Sequence, residues 1–178
     1  MEPRKGKYGN GNFTVQYQED ALVEVRLYYK ETGSTTYGEA FTPDCPSGRN
    51  EYCSIYVPGL TNGPLNYSFS LTDKANTTVF SKEYEIIIDT VIPVFNMITP
   101  VSAATYDRRA PFNITLDEEV TLEYLDREGN YPRFRRLCSN CDSYIREKSF
   151  TLGYHDLTIK ATDVAGNIYQ EDVDFTIT

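Results

Sequence analysis

Leu152-Gly153-Tyr154-His155-Asp156-Leu157-Thr158-Ile159-Lys160-Ala161-Thr162-Asp163-Val164-Ala165-Gly166-Asn167 is the stretch on which the reading of this chain turns. Leu157, Ile159 and Ala161 alternate with Thr158, Lys160 and Thr162. A period of two puts one row of side chains in a core and the other in water, so the stretch predicts a strand. A turn follows at once. Asp163 can accept hydrogen bonds from backbone amides two residues on, and Gly166 can take a positive φ without a Cβ clash. A second alternating run comes next, with Tyr169, Val173, Phe175 and Ile177 on one face and Gln170, Asp172, Asp174 and Thr176 mostly on the other. Two such runs around a tight polar turn predict a β-hairpin.

The pattern occurs twice. Tyr67, Phe69 and Leu71 alternate with Ser68, Ser70 and Thr72; Asp73-Lys74-Ala75-Asn76 makes the turn; Phe80, Tyr84, Ile86 and Ile88 form the returning strand. The two hairpins are roughly 90 residues apart, the size of one immunoglobulin-type sandwich. Leu-x-x-Gly-x-Tyr followed by Ala161-Thr-Asp-x-Ala-Gly-Asn167 resembles the last hairpin of the prokaryotic Ig-like repeats found in tandem in bacterial and archaeal surface proteins. The likeness covers about a fifth of the second repeat, and the first repeat keeps only Thr72-Asp73 and Ala75-Asn76 of it. It implies an all-β chain of two tandem Ig-like, or fibronectin III-like, sandwiches.

Composition agrees with that class. Tyr occurs 15 times and Phe 9 times, Trp not at all, and Tyr and Phe suit half-buried strand positions. No helical periodicity of useful length is present. A net charge of −9 argues against nucleic acid as a partner, because phosphate binding needs a basic footprint. No run of about 18 apolar residues exists to insert into a membrane as a helix. The first residues lack the apolar core of a signal peptide, so an extracellular role implies that leader and anchor lie outside this sequence.

Cys45 and Cys53 fall in the first repeat, Cys138 and Cys141 in the second, each pair between the middle strands and the final hairpin. A zinc ion shared by both pairs needs four sulfurs at about 2.3 Å, whereas equivalent points of successive domains lie a domain length apart. A redox Cys-x-x-Cys wants a helix after a strand, and Cys138-Ser139-Asn140-Cys141 is followed by no helical pattern. Four unrelated thiols remain an alternative. Matched placement favours two local disulfides and an oxidising compartment.

In chain order, residues 1 to 11 read as a loose Gly-, Lys- and Asn-rich lead. Phe13, Val15 and Tyr17 then match Phe112, Ile114 and Leu116 as strands. Gln18-Glu19-Asp20 and Asp117-Glu118-Glu119 read as acidic turns, and Val23 to Tyr29 and Val120 to Tyr124 as the next strands. Further strands are expected at Tyr37 to Phe41, Tyr131 to Leu137, Ile55 to Val57 and Ser149 to Leu152, with the cysteines in loops. Leu60 with Tyr67 resembles the tyrosine corner of such sandwiches; an ordinary core Tyr is the alternative. The domains are expected at 1–88 and 89–178, joined by Asp89-Thr90-Val91-Ile92-Pro93. Pro93 stiffens that join, and Val94, Asn96 and Ile98 begin the second domain. The first domain shows no clear leading strand before Phe13, leaving it missing, irregular or supplied from outside.

No catalytic set emerges. His155 is the single histidine and reads as solvated or capping, not as the base of a triad. The carboxylates fall in turns and on outer faces rather than as an acid pair in a cleft. Asp89, Asp117, Glu118, Asp163 and Asn167 lie on loops that the topology brings to one pole, where their oxygens suit Ca²⁺; a solvated acidic rim is the alternative, and no other cofactor is expected. Arg127, Tyr131, Arg133, Phe134, Arg135 and Arg136 form a basic-aromatic segment of interface type. It fits an acidic glycan or another subunit; the alternative is an edge hairpin guarded by charge. Asn-x-Ser/Thr sequons at Asn12, Asn66, Asn76 and Asn113 are glycosylation candidates, with Asn66 and Asn113 at strand starts.

The reading is therefore a non-catalytic tandem module of a prokaryotic surface or secreted protein: a spacer, an adhesion unit or a unit of surface assembly, meeting protein, glycan, neighbouring copies or further repeats. A glycan- or protein-binding module and an accessory β-domain of a secreted hydrolase are the other readings.

Overall fold

The structure is a computed structural model that describes residues 2–3, 7–42 and 44–178. It divides into two compact units, Met1–Thr90 and Val91–Thr178. The first unit contains β1 (Glu2–Pro3), β2 (Tyr8–Gly9), β3 (Asn12–Glu19), β4 (Leu22–Glu31), β5 (Gly38–Thr42), β6 (Gly48–Tyr56), β7 (Gly63–Asp73), β8 (Thr78–Phe80) and β9 (Tyr84–Ile88). One sheet runs β1-β3-β6 and the other β2-β9-β7-β4-β5, with β8 beside the end of β7. The core lies where the alternating rows of the two sheets meet. Val15, Val25, Leu27 and Phe69 are fully buried there, and Tyr67 packs its ring 5.1 Å from that of Phe13.

The leading strand of this unit is split between the sheets. β1 pairs antiparallel with β3, and β2 runs parallel to β9. Residues 1 and 4 to 6 lie outside the described residues. Lys7 to Gly11 are not loose: the Lys7 carbonyl accepts from Ile87 N at 2.9 Å and the Gly9 carbonyl from Asp89 N at 2.9 Å. At Gly11 the φ is +91°, and a Cβ would stand 2.8 Å from the Val57 carbonyl, so only glycine allows this approach. The returning strand expected from Phe80 to Ile88 is broken. Ser81 takes the hydrogen bond of Phe69 N on its hydroxyl, at 2.9 Å, which leaves Phe80 outward and 65% exposed.

The second unit contains β10 (Phe95–Thr99), β11 (Ala104–Tyr106), β12 (Arg109–Asp126), β13 (Arg135–Ser149), β14 (Gly153–Thr162) and β15 (Ile168–Ile177). Its first strand splits as in the first unit: β10 pairs antiparallel with β12, and β11 runs parallel to β15. The phase of β10 is one residue off the expected one. Val94 and Ile98 are exposed, while Phe95 and Met97 pack against the core, since a one-residue shift exchanges the two faces.

Asp117-Glu118-Glu119 is not a turn. β12 runs through it for 18 residues. Its first half pairs with β10 and the far half of β13, its second half with β14 and the near half of β13. The register slips between Thr115 and Val120. No Gly or Pro reverses the chain there, so a bulge bends it instead. In the first unit a real break, Asp20-Ala21, separates β3 from β4. The cysteines are likewise not all in loops, for Cys53 lies within β6 and Cys138 and Cys141 within β13.

Cys45 bonds to Cys53 and Cys138 to Cys141, with Cα atoms 5.4 and 6.2 Å apart. The first link ties the β5–β6 crossing to β6, and the second closes within β13 where its register against β12 shifts. Non-reducing peptide mass spectrometry should recover these two links and no cross-link between units. Replacing either pair with Ser should cost about 2–3 kcal/mol in the loop-entropy account; an unchanged melt would remove that role. No helix of the described residues is long and apolar enough to cross a membrane.

Candidate functional site

The chemistry-bearing side chains of the second unit gather at its two ends. At one end β12 runs out at Asp126, the chain loops through Arg127 to Phe134, and a corner at Phe150 to Leu152 joins β13 to β14. Phe150 anchors that corner, its ring centroid 5.2 Å from Phe175 and 5.0 Å from His155. His155 is buried rather than solvated, at 4% exposure. It stands two residues before Leu157 in the inward row of β14, and that alternation was the sequence signal for its burial. Nε2 lies 2.8 Å from the Thr151 carbonyl, which can only accept, so Nε2 donates. Nδ1 lies 2.8 Å from Asp126 Oδ2. The ring thus ties the end of β12 to the corner and is no free base.

The basic-aromatic segment separates into three parts. Arg127 belongs to the sheet: its guanidinium donates to Asp156 Oδ1 and Asp172 Oδ1, each at 2.6 Å, and to the Thr158 hydroxyl. The Thr158 hydroxyl and then Arg127 hold the Asp172 carboxyl below its ordinary range, although burial opposes them. The same two aspartates raise Arg127. Phe134 lies under Lys160, whose Nζ is 4.0 Å from the ring centroid and 2.7 Å from Glu123. Arg136 faces Glu123 across the β12–β13 register. Tyr131, Arg133 and Arg135 instead line a recess of about 450 Å³ with Tyr124, Asn130 and Thr151. Among the described residues, neither Arg133 nor Arg135 has an ion-pair partner. Among the described residues β13 pairs with β12 alone, and Arg135, Arg136, Arg146, Glu147 and Lys148 charge this open edge against stray pairing.

At the other end stands the final hairpin turn. Asp163 Oδ1 accepts from Gly166 N at 2.7 Å and Asn167 N at 2.8 Å, and Oδ2 accepts from Asn167 Nδ2 at 2.8 Å. Gly166 has φ +94°, as the turn reading required. Glu118 and Asp163 offer carboxylate oxygens within 4.8 Å of each other. Asp117 Oδ1 accepts from Val94 N at 2.7 Å. Asp89 belongs to the first unit, where its amide bonds Gly9.

The sequons differ in access. Asn12, Asn66 and Asn76 are exposed, and Asn76 sits in a turn at φ +60°. Asn66 lies inside β7 and Asn113 inside β12, so neither is at a strand start. Asn113 is half-buried, opposite Ile145 of β13 and Thr99 of β10.

No family model matches the chain, and no curated relative does. Solved structures do. The FN1–FN3 domains of chicken CNTN1 superimpose with a TM-score of 0.50 over 98% of this chain and 66% of that one, at 12% identity. The fold is fibronectin III-like, in two tandem sandwiches. The fibronectin(III)-like modules of CbhA from Clostridium thermocellum align over 97% of this chain and 90% of theirs, at 14% identity and a TM-score of 0.48. A solved chain from a study of a 1.5-MDa bacterial ice-binding adhesin aligns over 96% of this chain and 60% of that one, at 11% identity and a TM-score of 0.33. At these identities the likeness is one of fold.

Proposed function

We propose that the tandem sandwiches are a non-catalytic module of a secreted or surface-exposed prokaryotic protein, acting as a spacer or as a unit of adhesion or surface assembly. One observation carries the reading: three groups suited to catalysis are engaged as fold supports. His155 is buried between Asp126 and Thr151, Arg127 is tied to two aspartates, and Asp163 is filled by its own turn. The two cross-links suit an oxidising compartment, and three exposed sequons suit a glycosylated surface. Antibody against this pair should label intact cells that make the full-length protein. Labelling only after permeabilisation would overturn the extracellular placement. A catalytic domain on the same full-length chain would favour an accessory role beside a hydrolase.

Calcium is a second reading, favoured by the approach of Glu118 to Asp163. Several hard oxygens are needed for Ca²⁺, and Asp163 would have to serve the ion and its turn together. Going from chelator to millimolar Ca²⁺ should raise the melting temperature of the second sandwich. An unchanged melt leaves an acidic rim facing water.

A further inference from the structure

The geometry points to a binding site for a carboxylate-bearing sugar, a uronate or a sialate, in the recess between the β12–β13 loop and the β13–β14 corner. This goes beyond the structural role above and stands whether or not that role is correct.

Three features of the recess select this ligand. The first is charge. Arg133 and Arg135 both line it, and among the described residues neither is neutralised by an ion pair. In a chain of net charge −9, two guanidinium groups without an ion pair, lining this recess and the one adjoining it at Pro132, are a local exception. A guanidinium fork matches a planar carboxylate through paired N–H···O bonds. The second feature is shape. The volume of about 450 Å³ falls within the range of small-molecule sites, and its walls include Tyr124 and Tyr131. Tyr124 is held in place by burial at 4% exposure, while Tyr131 stands out at 79%. An outward aromatic ring beside a polar recess offers a flat apolar surface to the C–H face of a pyranose. The third feature is the neutral and acidic remainder. Asn130 and Thr151 offer groups to sugar hydroxyls, and Glu128, also on the lining, can accept from them. Asp126 is occupied, since Oδ2 meets His155 and Oδ1 accepts from the Glu128 amide at 3.2 Å.

A phosphate would meet the same two arginines, but it has no pyranose face to lie on Tyr131 and no ring of hydroxyls for Asn130, Thr151 and Glu128. The site stands on a firm base, because Phe150 and His155 lock the corner beneath it into the core. The parts that touch the ligand, Asn130, Tyr131 and Arg133 on the loop and Arg135 at the start of β13, are exposed to water.

The test uses the whole 178-residue chain, with tetragalacturonate and sialyllactose as probes and their neutral counterparts, the methyl-esterified tetramer and lactose. Binding is read by calorimetry and by movement of the amide signals of residues 130 to 135. At least one acidic probe should bind, its neutral counterpart should not, and which acid binds identifies the source. Affinity should fall as salt is raised. The double change Arg133→Ala with Arg135→Ala should weaken binding at least tenfold. Tyr131→Ala should weaken it several-fold, and Arg136→Ala, which removes one positive charge outside the recess, by less than twofold. All four residues are exposed, so the variants should melt as the parent does. Equal binding of acidic and neutral probes would overturn the site. So would an Arg136→Ala effect as large as that of the double change, or no binding of either acid at millimolar concentration.

Discussion

Ile159→Asp will unfold the second sandwich and leave the first one folded. Ile159 is completely buried in the central row of β14, between Leu157 and Ala161. Tyr124 of β12 stands opposite on one side and Glu171 of β15 on the other. The core around it is apolar, so an aspartate there has no cation to meet. Ionised, it carries a desolvation cost of several kcal/mol; protonated, it still leaves a hydroxyl and a carbonyl without partners. A domain of this size has only about 5–15 kcal/mol in hand, so a loss on this scale removes most of it. Ile159→Val, which deletes one methylene without adding charge, should cost only about 0.5–1.5 kcal/mol. The first unit is expected to survive because the two cores have no residue in common. Amide correlation spectra provide the measurement: signals of the second unit should collapse to random-coil positions while those of the first hold. The mirror change, Leu71→Asp, should reverse the pattern. Loss of both sets under either change would show that the units fold as one.

Asp163→Ala should be the most damaging change outside the apolar core. The carboxylate accepts three hydrogen bonds, from two backbone amides and the Asn167 side chain. Asp163 and Asn167 are both buried, at 7% and 8% exposure. Alanine removes both oxygens that accept these bonds, at a turn where water has little access. Each buried donor that loses its Asp163 acceptor costs about 1–3 kcal/mol, and a total of about 3 kcal/mol is expected in urea unfolding of the second unit. The first unit supplies the control. Asp73 Oδ1 accepts from Ala75 N and Thr77 N, each at 2.8 Å, but Ala75 and Thr77 are exposed. Water can replace that carboxylate, so Asp73→Ala should cost about 1 kcal/mol or less. Asp163→Asn keeps one oxygen for the amides but sets an amide nitrogen against Asn167 Nδ2, and should fall between. Equal losses at the two turns would mean that burial does not govern the effect.

The sequence by itself determined the elements whose cause is local. The alternation of Leu157, Ile159 and Ala161, the acceptor at Asp163 and the positive φ of Gly166 are properties of adjacent residues, and the last hairpin follows from them. Its earlier copy, built on Phe69 and Leu71, follows for the same reason, and two copies imply two sandwiches. Tertiary structure decided whatever depends on the neighbour across a sheet. The acidic run at Asp117 has a turn's composition, but pairing with β13 on one side and two different strands on the other keeps it in a bent strand. Val94 and Phe95 are both apolar, so only docking on β12 selects which of them faces inward. Arg127 and Arg133 look alike in one basic segment. The loop sends Arg127 onto the aspartates of β14 and β15 and leaves Arg133 and Arg135 beside Tyr131, because a turn separates residues that a strand would have kept on one face. Periodicity tells which side chains share a face, and long-range pairing tells what that face meets.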